Sequence, residues 1–478
     1  MATATVREAA GRVRDALRLD RRLRVLGGDG ALRGRLCAHA AADASSHTPV
    51  VYVAPDEAAA RTVAIDAAFF LGTRVDDVAA GVGPIMLVPD VETSPYADVS
   101  PDPRAVGARL GALSRIGQPD GPRLVVFGLR SLMRRTLPAA AMSELRRVWA
   151  TEDEVEPREA IGHLVRCGYG RVDVVEDPGT FAVRGGVLDV WVPRERFPAR
   201  LEWFGDEIER IRAFDPQSQR SLRQLERCVV HPVRETIATS EEPLRNRVLA
   251  LADRVNAPSS KSRQIIDNLQ QGLDFFGIDA IAPVFHDEMD PVWAYLPAGA
   301  RWIVEEPNAL GTLAARIEEE LSQQHALAVA DLRLVAAPDE LMVGSTQTEQ
   351  QLARASVELA RMDLYDGEAE ADRHLLRIAT EPNTRLHAEL AKARATKGAA
   401  VLSPAVEHVR TLAEQGKPWR VIVAAPNVTH AERLTGLLRG YGLQPQAPRP
   451  ADEGVPLVAE LDEEVHAPTL QVVAGELS

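Results

Sequence analysis

Lysine is almost missing from this chain: of 55 basic residues only Lys261, Lys392, Lys397 and Lys417 are lysine, and the rest are arginine. That scarcity excludes an intact P-loop of the form GxxxxGK[ST], because the one Gly-Lys pair, Gly416-Lys417, runs into Pro418. Cysteine is scarce as well. Cys37, Cys167 and Cys228 stand far apart and form no CxxC pair, which argues against a zinc site or a disulfide framework and makes them small buried hydrophobes. No GxSxG, HExxH or Cys-His arrangement with supporting spacing occurs, so nucleophilic and metal-assisted hydrolysis have no candidate residues. Apolar runs are short. Stretches such as Leu124 to Phe127 and Val421 to Ala425 fall far below the roughly 20 residues that cross a bilayer. The Arg-rich N-terminus has no continuous apolar core of a secretory signal, and a cytoplasmic location is expected. Excess positive charge is also absent: the net charge is −14, which disfavours broad, non-specific DNA binding.

What is present is the composition of an ordinary soluble globular protein. The 478 residues are 45% hydrophobic and 26% charged, with a mean hydropathy of −0.14, and at roughly 100–200 residues per domain they imply several domains. From Arg24 to about Ala150, strand-like runs alternate with helical ones, the signature of a mostly parallel sheet covered by helices. Between 151 and 236 the texture changes to short strands and tight turns, including a hairpin across Arg184-Gly185-Gly186, where paired glycines accept the positive φ of primed turns. The α/β pattern resumes over 237–345, with a short strand expected near Leu332 to Ala336. A Gln-, Glu- and Asp-rich stretch, 346–397, reads as an exposed linker containing DLYDGEAEADRH. A small α/β domain follows over 398–478. There Thr429 with Glu432 reads as a capping box, and Gly442 as the left-handed stop of that helix.

Three places carry candidate chemistry. LGGDGALRG, 26–34, sits where a strand passes into a helix and backbone N–H groups can hold phosphate. Its glycines miss GxGxxG because position 33 is Arg, and a structural turn is the expectation. His286-Asp287-Glu288-Met289-Asp290 crowds metal-capable side chains together. Consecutive residues cannot all face one ion, so a solvated loop and no metal site are expected. In ARLEWFGDE, strand alternation places Leu201 and Trp203 on one face and Arg200, Glu202 and Phe204 on the other. Arginine beside an aromatic is the composition of an interface hot spot. The alternative is that Phe204 is core and the arginines are solvated, or paired with Asp189 and Glu202.

GTFAVRGGVLDVWVP and ARLEWFGDEIERIRAFDPQSQRS resemble the UvrA-binding domain shared by the excision-repair protein UvrB and the transcription-repair coupling factors. APDEAAARTV, PDVETSPYADVSPDPRAVGARLGALSRI, LVRCGYGRVDVVEDPGTFAVRGG and PVWAYLPAGARWIVEEP resemble the N-terminal region of the coupling factors, in order and at their spacing. The resemblance implies an α/β fold: a UvrB-like parallel-sheet domain interrupted by the antiparallel β-rich domain, then a linker and the small α/β domain. It implies a degenerate nucleotide loop at Gly27, Gly28 and Gly30, with no cofactor and no catalytic residue. It places the UvrA contact on Arg184, Arg200 and Phe204. The family's RNA polymerase-binding domain, its ATP-driven DNA translocase and the domain that masks the UvrA-binding face do not follow Ser478, so polymerase and DNA are expected as partners only through those parts. Two readings of other classes stay open: a nucleotide-dependent enzyme using the 26–34 loop, and a scaffold for a different partner.

Overall fold

A computed structural model describes the chain except for residues 1–2, 29, 98, 272–274, 362–373, 379, 381–382, 397–399, 415–418, 462, 464–466 and 478. The Gly416-Lys417 pair and most of DLYDGEAEADRH lie outside the described residues.

The N-terminal part alternates strand and helix. In chain order come β1 (Leu23–Leu26), α1 (Leu32–Ala42), β2 (Val50–Ala54), α2 (Glu57–Leu71), α3 (Val75–Ala80), β3 (Ile85–Val88), α4 (Pro103–Arg115) and β4 (Leu124–Gly128). β2, β3 and β4 are buried along their whole length, which explains why they read as continuous apolar runs: parallel strands covered on both faces have no solvent side to alternate toward. Asp56 starts α2 by accepting the backbone N–H of Ala59, and Gly72 stops it at φ 68°.

The inserted module holds α5 (Pro157–Arg166) and five antiparallel strands, β5 (Thr180–Arg184), β6 (Val187–Val190), β7 (Ala199–Phe204), β8 (Glu207–Phe214) and β9 (Ser221–Leu225). Phe181, Leu188, Leu201, Ile208 and Ile211 face a separate core beneath the sheet. The main sheet then resumes with β10 (Arg301–Glu305), α6 (Pro307–Ala330), β11 (Val357–Ala360) and β12 (His374–Ile378). With the short strand Thr3–Ala4 at one edge, its spatial order is β12-β1-β11-β10-β2-β4-β3, all parallel. α1 and α2 cover one face and α6 the other. The last unit pairs β13 (Arg420–Ala425) with β14 (Thr469–Ala474), covered by α7 (Val428–Gly440). It adds Leu457, Val458 and Val473 to the core around Phe69.

Several local expectations need correction. Residues 346–397 are not simply a linker: β11 is inserted between β1 and β10, where Arg24 of β1 donates to buried Glu358 at 3.0 Å. Polar composition misleads there because a charged strand residue is accommodated by a charge on its neighbour. Leu332 to Ala336 forms no strand. α7 is capped by Asn427, whose side chain accepts from His430 N, two residues earlier than the expected Thr429 box. Gly442 is, as expected, the left-handed stop of that helix, at φ 82° directly after the C-cap Tyr441. His286 is wholly buried, held between Thr239 and the Glu235 carbonyl, while Asp287 and Glu288 face solvent.

The module is keyed into the α/β body. Gly107 and Gly111, one turn apart on α4, receive Pro193 and His231: a Cβ on Gly107 would lie 2.8 Å from Pro193 Cγ, and one on Gly111 3.1 Å from His231 Nε2. Beside them Arg194, at φ 72°, donates to the Val78 and Ala80 carbonyls at the C-terminus of α3 and to Leu87 O on edge strand β3, at 3.2, 3.3 and 3.3 Å. Those carbonyls carry the negative end of the α3 dipole and the free rim of the sheet, so a guanidinium suits them.

Burial pushes the His231 imidazole down to about 4. Its ordinary value is about 6.5, so as pH falls the unfolded chain takes up the proton first. The stability it provides is complete above that value and is lost on the way down to 4, amounting to about 3 kcal/mol. In denaturant titrations, the stability advantage of wild type over His231→Gln should therefore shrink as pH drops from 7 to 4. A gap independent of pH would refute this.

Candidate partner-binding face

Alternation along β5 to β7 sorts the module's sheet into two faces. Leu188, Leu201 and half-buried Trp203 point into the core, where Trp203 Nε1 donates to Val155 O at 2.8 Å. Register places Arg184, Val187 and Glu202 in one row of the opposite face, and Asp189, Arg200 and Arg212 in the next. Phe204 ends β7 on that outer face, at the hairpin whose Gly205 sits at φ 65°. It is 79% exposed. A phenylalanine left in water on an otherwise well-packed domain forfeits about 2 kcal/mol or more of burial, and such positions mark interaction sites more often than accidents.

The three expected contact residues therefore share one face, but their surroundings differ. Arg184 is exposed, and its Nη2 donates to Asp173 O at 2.7 Å. Arg200 is not a free surface arginine. Nε and Nη2 form a bidentate pair with the Asp189 carboxylate at 2.7 and 2.8 Å, Nη1 reaches Gln219 O at 3.3 Å, and the guanidinium lies 4.5 Å over the Phe214 ring. The hydrogen bonds it donates to the Asp189 carboxylate raise its pKa above the ordinary arginine value. Glu202 is taken by Arg212. Asp189 and Glu202 are thus paired with Arg200 and Arg212, Arg184 is not paired with a carboxylate among the described residues, and the core alternative is wrong for Phe204. Sequence reasoning had Asp189 only as a possible neutraliser; its place opposite Arg200 in register was the signal for a fixed pair.

The glycine loop is built differently. Gly27 and Gly30 take φ 76° and 57° after β1, but the loop is closed from within. Arg33, on the first turn of α1, donates Nε to Gly28 O at 3.0 Å and forms an ion pair with Glu305 at the end of β10. Tyr52 OH donates to the other Glu305 oxygen at 2.7 Å. Nothing in the loop's sequence announced Glu305, 272 positions away. Among the described residues no group of three or more His, Cys, Asp and Glu gathers as metal ligands, and no helix is long and apolar enough to cross a membrane.

Residues 148–235 match the family described as the UvrB interaction domain. The transcription-repair-coupling factor of Myxococcus xanthus is 36% identical over 434 residues, 89% of this chain and 35% of that protein. Its counterpart in Mycobacterium tuberculosis is 34% identical over 262 residues, 51% of this chain and 21% of the relative. The UvrABC system protein B of Thermosipho africanus is 32% identical over 134 residues, 28% of this chain and 18% of that protein. The chain spans about a third of the length of the first of these. A sheet module matched to the UvrB interaction domain thus sits in a chain that is similar to the transcription-repair-coupling factors along most of its length.

Proposed function

We propose that the chain is the N-terminal, UvrA-recruiting part of a transcription-repair coupling factor, and that the outer face of β5 to β7 binds UvrA through Arg184, Arg200 and Phe204. The observation that carries this reading is Phe204, 79% exposed on a folded module, at the end of the outer face that also carries Arg184 and Arg200. Arginine and aromatic side chains are the residues in which binding energy concentrates at interfaces. The full-length family's links to RNA polymerase and DNA are outside this proposal for the isolated chain, which acts in the cytoplasm as a binding module with no cofactor. Titrating UvrA into the 478-residue chain tests it directly: saturable binding is expected, and no detectable binding at micromolar concentrations would refute it.

The same reading makes the chain catalytically silent. Phosphoryl transfer needs a lysine and a magnesium-bound hydroxyl at the β and γ phosphates, and here Arg33 is engaged with Gly28 and Glu305 instead. Purified protein should hydrolyse no ATP, with or without DNA. Turnover that co-purifies with the chain and rises with DNA would overturn this.

A further inference from the structure

We infer that Asp189 is a positioning residue for UvrA recruitment: it fixes the Arg200 guanidinium over the Phe214 ring, so that the partner meets a preformed platform on the face that carries Phe204. The inference rests on the reading of this face given above. Asp189 is 5% and Arg200 19% exposed at their side chains, so the carboxylate itself is out of a partner's reach while the guanidinium is not. Arginine has five N–H hydrogens. Two are spent on Asp189 and one on the Gln219 carbonyl, and Gln219 Oε1 lies within 3.5 Å of Nη2. The guanidinium carbon lies 4.5 Å from the centre of the Phe214 ring. What remains for a partner is the exposed part of the guanidinium and an Nη1 hydrogen, both held in place by these bonds.

A freely rotating arginine would lose side-chain entropy on binding, and one already held loses little. Asp189 lies on β6, opposite Arg200 in register, and its strand neighbours Leu188 and Val190 are core. That placement leaves its carboxylate one geometry. The Asp189–Arg200 pair therefore acts as a single recognition element whose buried half sets the orientation of the exposed half.

The test is a double-mutant cycle on UvrA affinity in the full 478-residue chain, with melting temperature recorded for each variant. Asp189→Asn should weaken binding about tenfold and Arg200→Ala about thirtyfold. In the Arg200→Ala background, Asp189→Asn should cause no further loss, because it acts only through the guanidinium. If Asp189→Asn folds poorly, Asp189→Glu keeps the charge but displaces the carboxylate by one methylene, and should still weaken binding severalfold. Wild-type affinity in folded Asp189→Asn or Asp189→Glu, while Arg200→Ala and Phe204→Ala bind poorly, would overturn the positioning role and leave the recruiting face standing. A further loss in the Arg200→Ala background would also overturn it. Unchanged affinity in Arg200→Ala and Phe204→Ala would bring down the face itself, and this inference with it.

Discussion

Phe204→Ala is expected to weaken UvrA binding about thirtyfold or more, equivalent to about 2 kcal/mol, without lowering the melting temperature. Because the ring is 79% exposed, truncation removes almost no internal contact, and binding and stability should separate cleanly. Arg184→Ala should behave in the same way with a smaller loss, since that side chain has a single backbone acceptor, Asp173 O. Arg200→Ala should not separate them. It leaves the Asp189 carboxylate, 5% exposed, without its bidentate partner, and stranding a buried charge costs about 3 kcal/mol. Affinities for that variant must be measured well below its lowered melting transition. Unchanged affinity in folded Phe204→Ala and Arg184→Ala would exclude this face as the UvrA contact.

The second large effect is expected at Arg194. Arg194→Ala strips donors from three carbonyls, Val78, Ala80 and Leu87, and empties the space beside Gly81, whose Cα region the guanidinium fills. Val78 O keeps the Gly81 N–H, while the other two acceptors, left unsatisfied, cost about 1–3 kcal/mol each unless water enters the gap, so a total near 3 kcal/mol is expected. The loss should appear at the seat and not in the module's own core. Hydrogen exchange should speed up in α3 and β3 while β5 to β8 stay protected. Arg194→Gly relieves the φ of 72° but also loses the guanidinium, so its partial recovery over Ala would measure the backbone strain alone. Uniform acceleration across module and body, or none anywhere, would contradict an anchoring role.

The module was legible because its signals are local. Gly185-Gly186 dictates a hairpin, and the period of two in ARLEWF assigns each side chain to a face without reference to the rest of the chain. β11 was not legible. VELA is four residues long, sits among polar residues, and owes its burial to β1 and β10 on either side. Its Glu358 is explained only by Arg24, which no window of sequence contains. His286 misled for the same reason: a histidine in an acidic run looks solvated until Glu235 and Thr239 are seen to enclose it. Of the expected contact residues, Phe204 and Arg184 could be placed from pattern, whereas the fixed state of Arg200 depends on Asp189 across the ladder, Gln219 in a loop and Phe214 on the next strand.

The late arrival of β11 has a consequence for how the chain reaches its native state. Until Val357–Ala360 is made, β1 and β10 lack the strand that lies between them, and the ribosome has by then released the whole UvrB interaction domain. That domain closes its ladder with near neighbours in sequence and is able to fold at once, while the surrounding sheet waits for a contact spanning 334 positions. A nascent or proteolysed chain ending before 357 would thus carry a finished β5 to β9 module on an open, strand-hungry sheet, and is expected to aggregate while its proposed UvrA face is already formed.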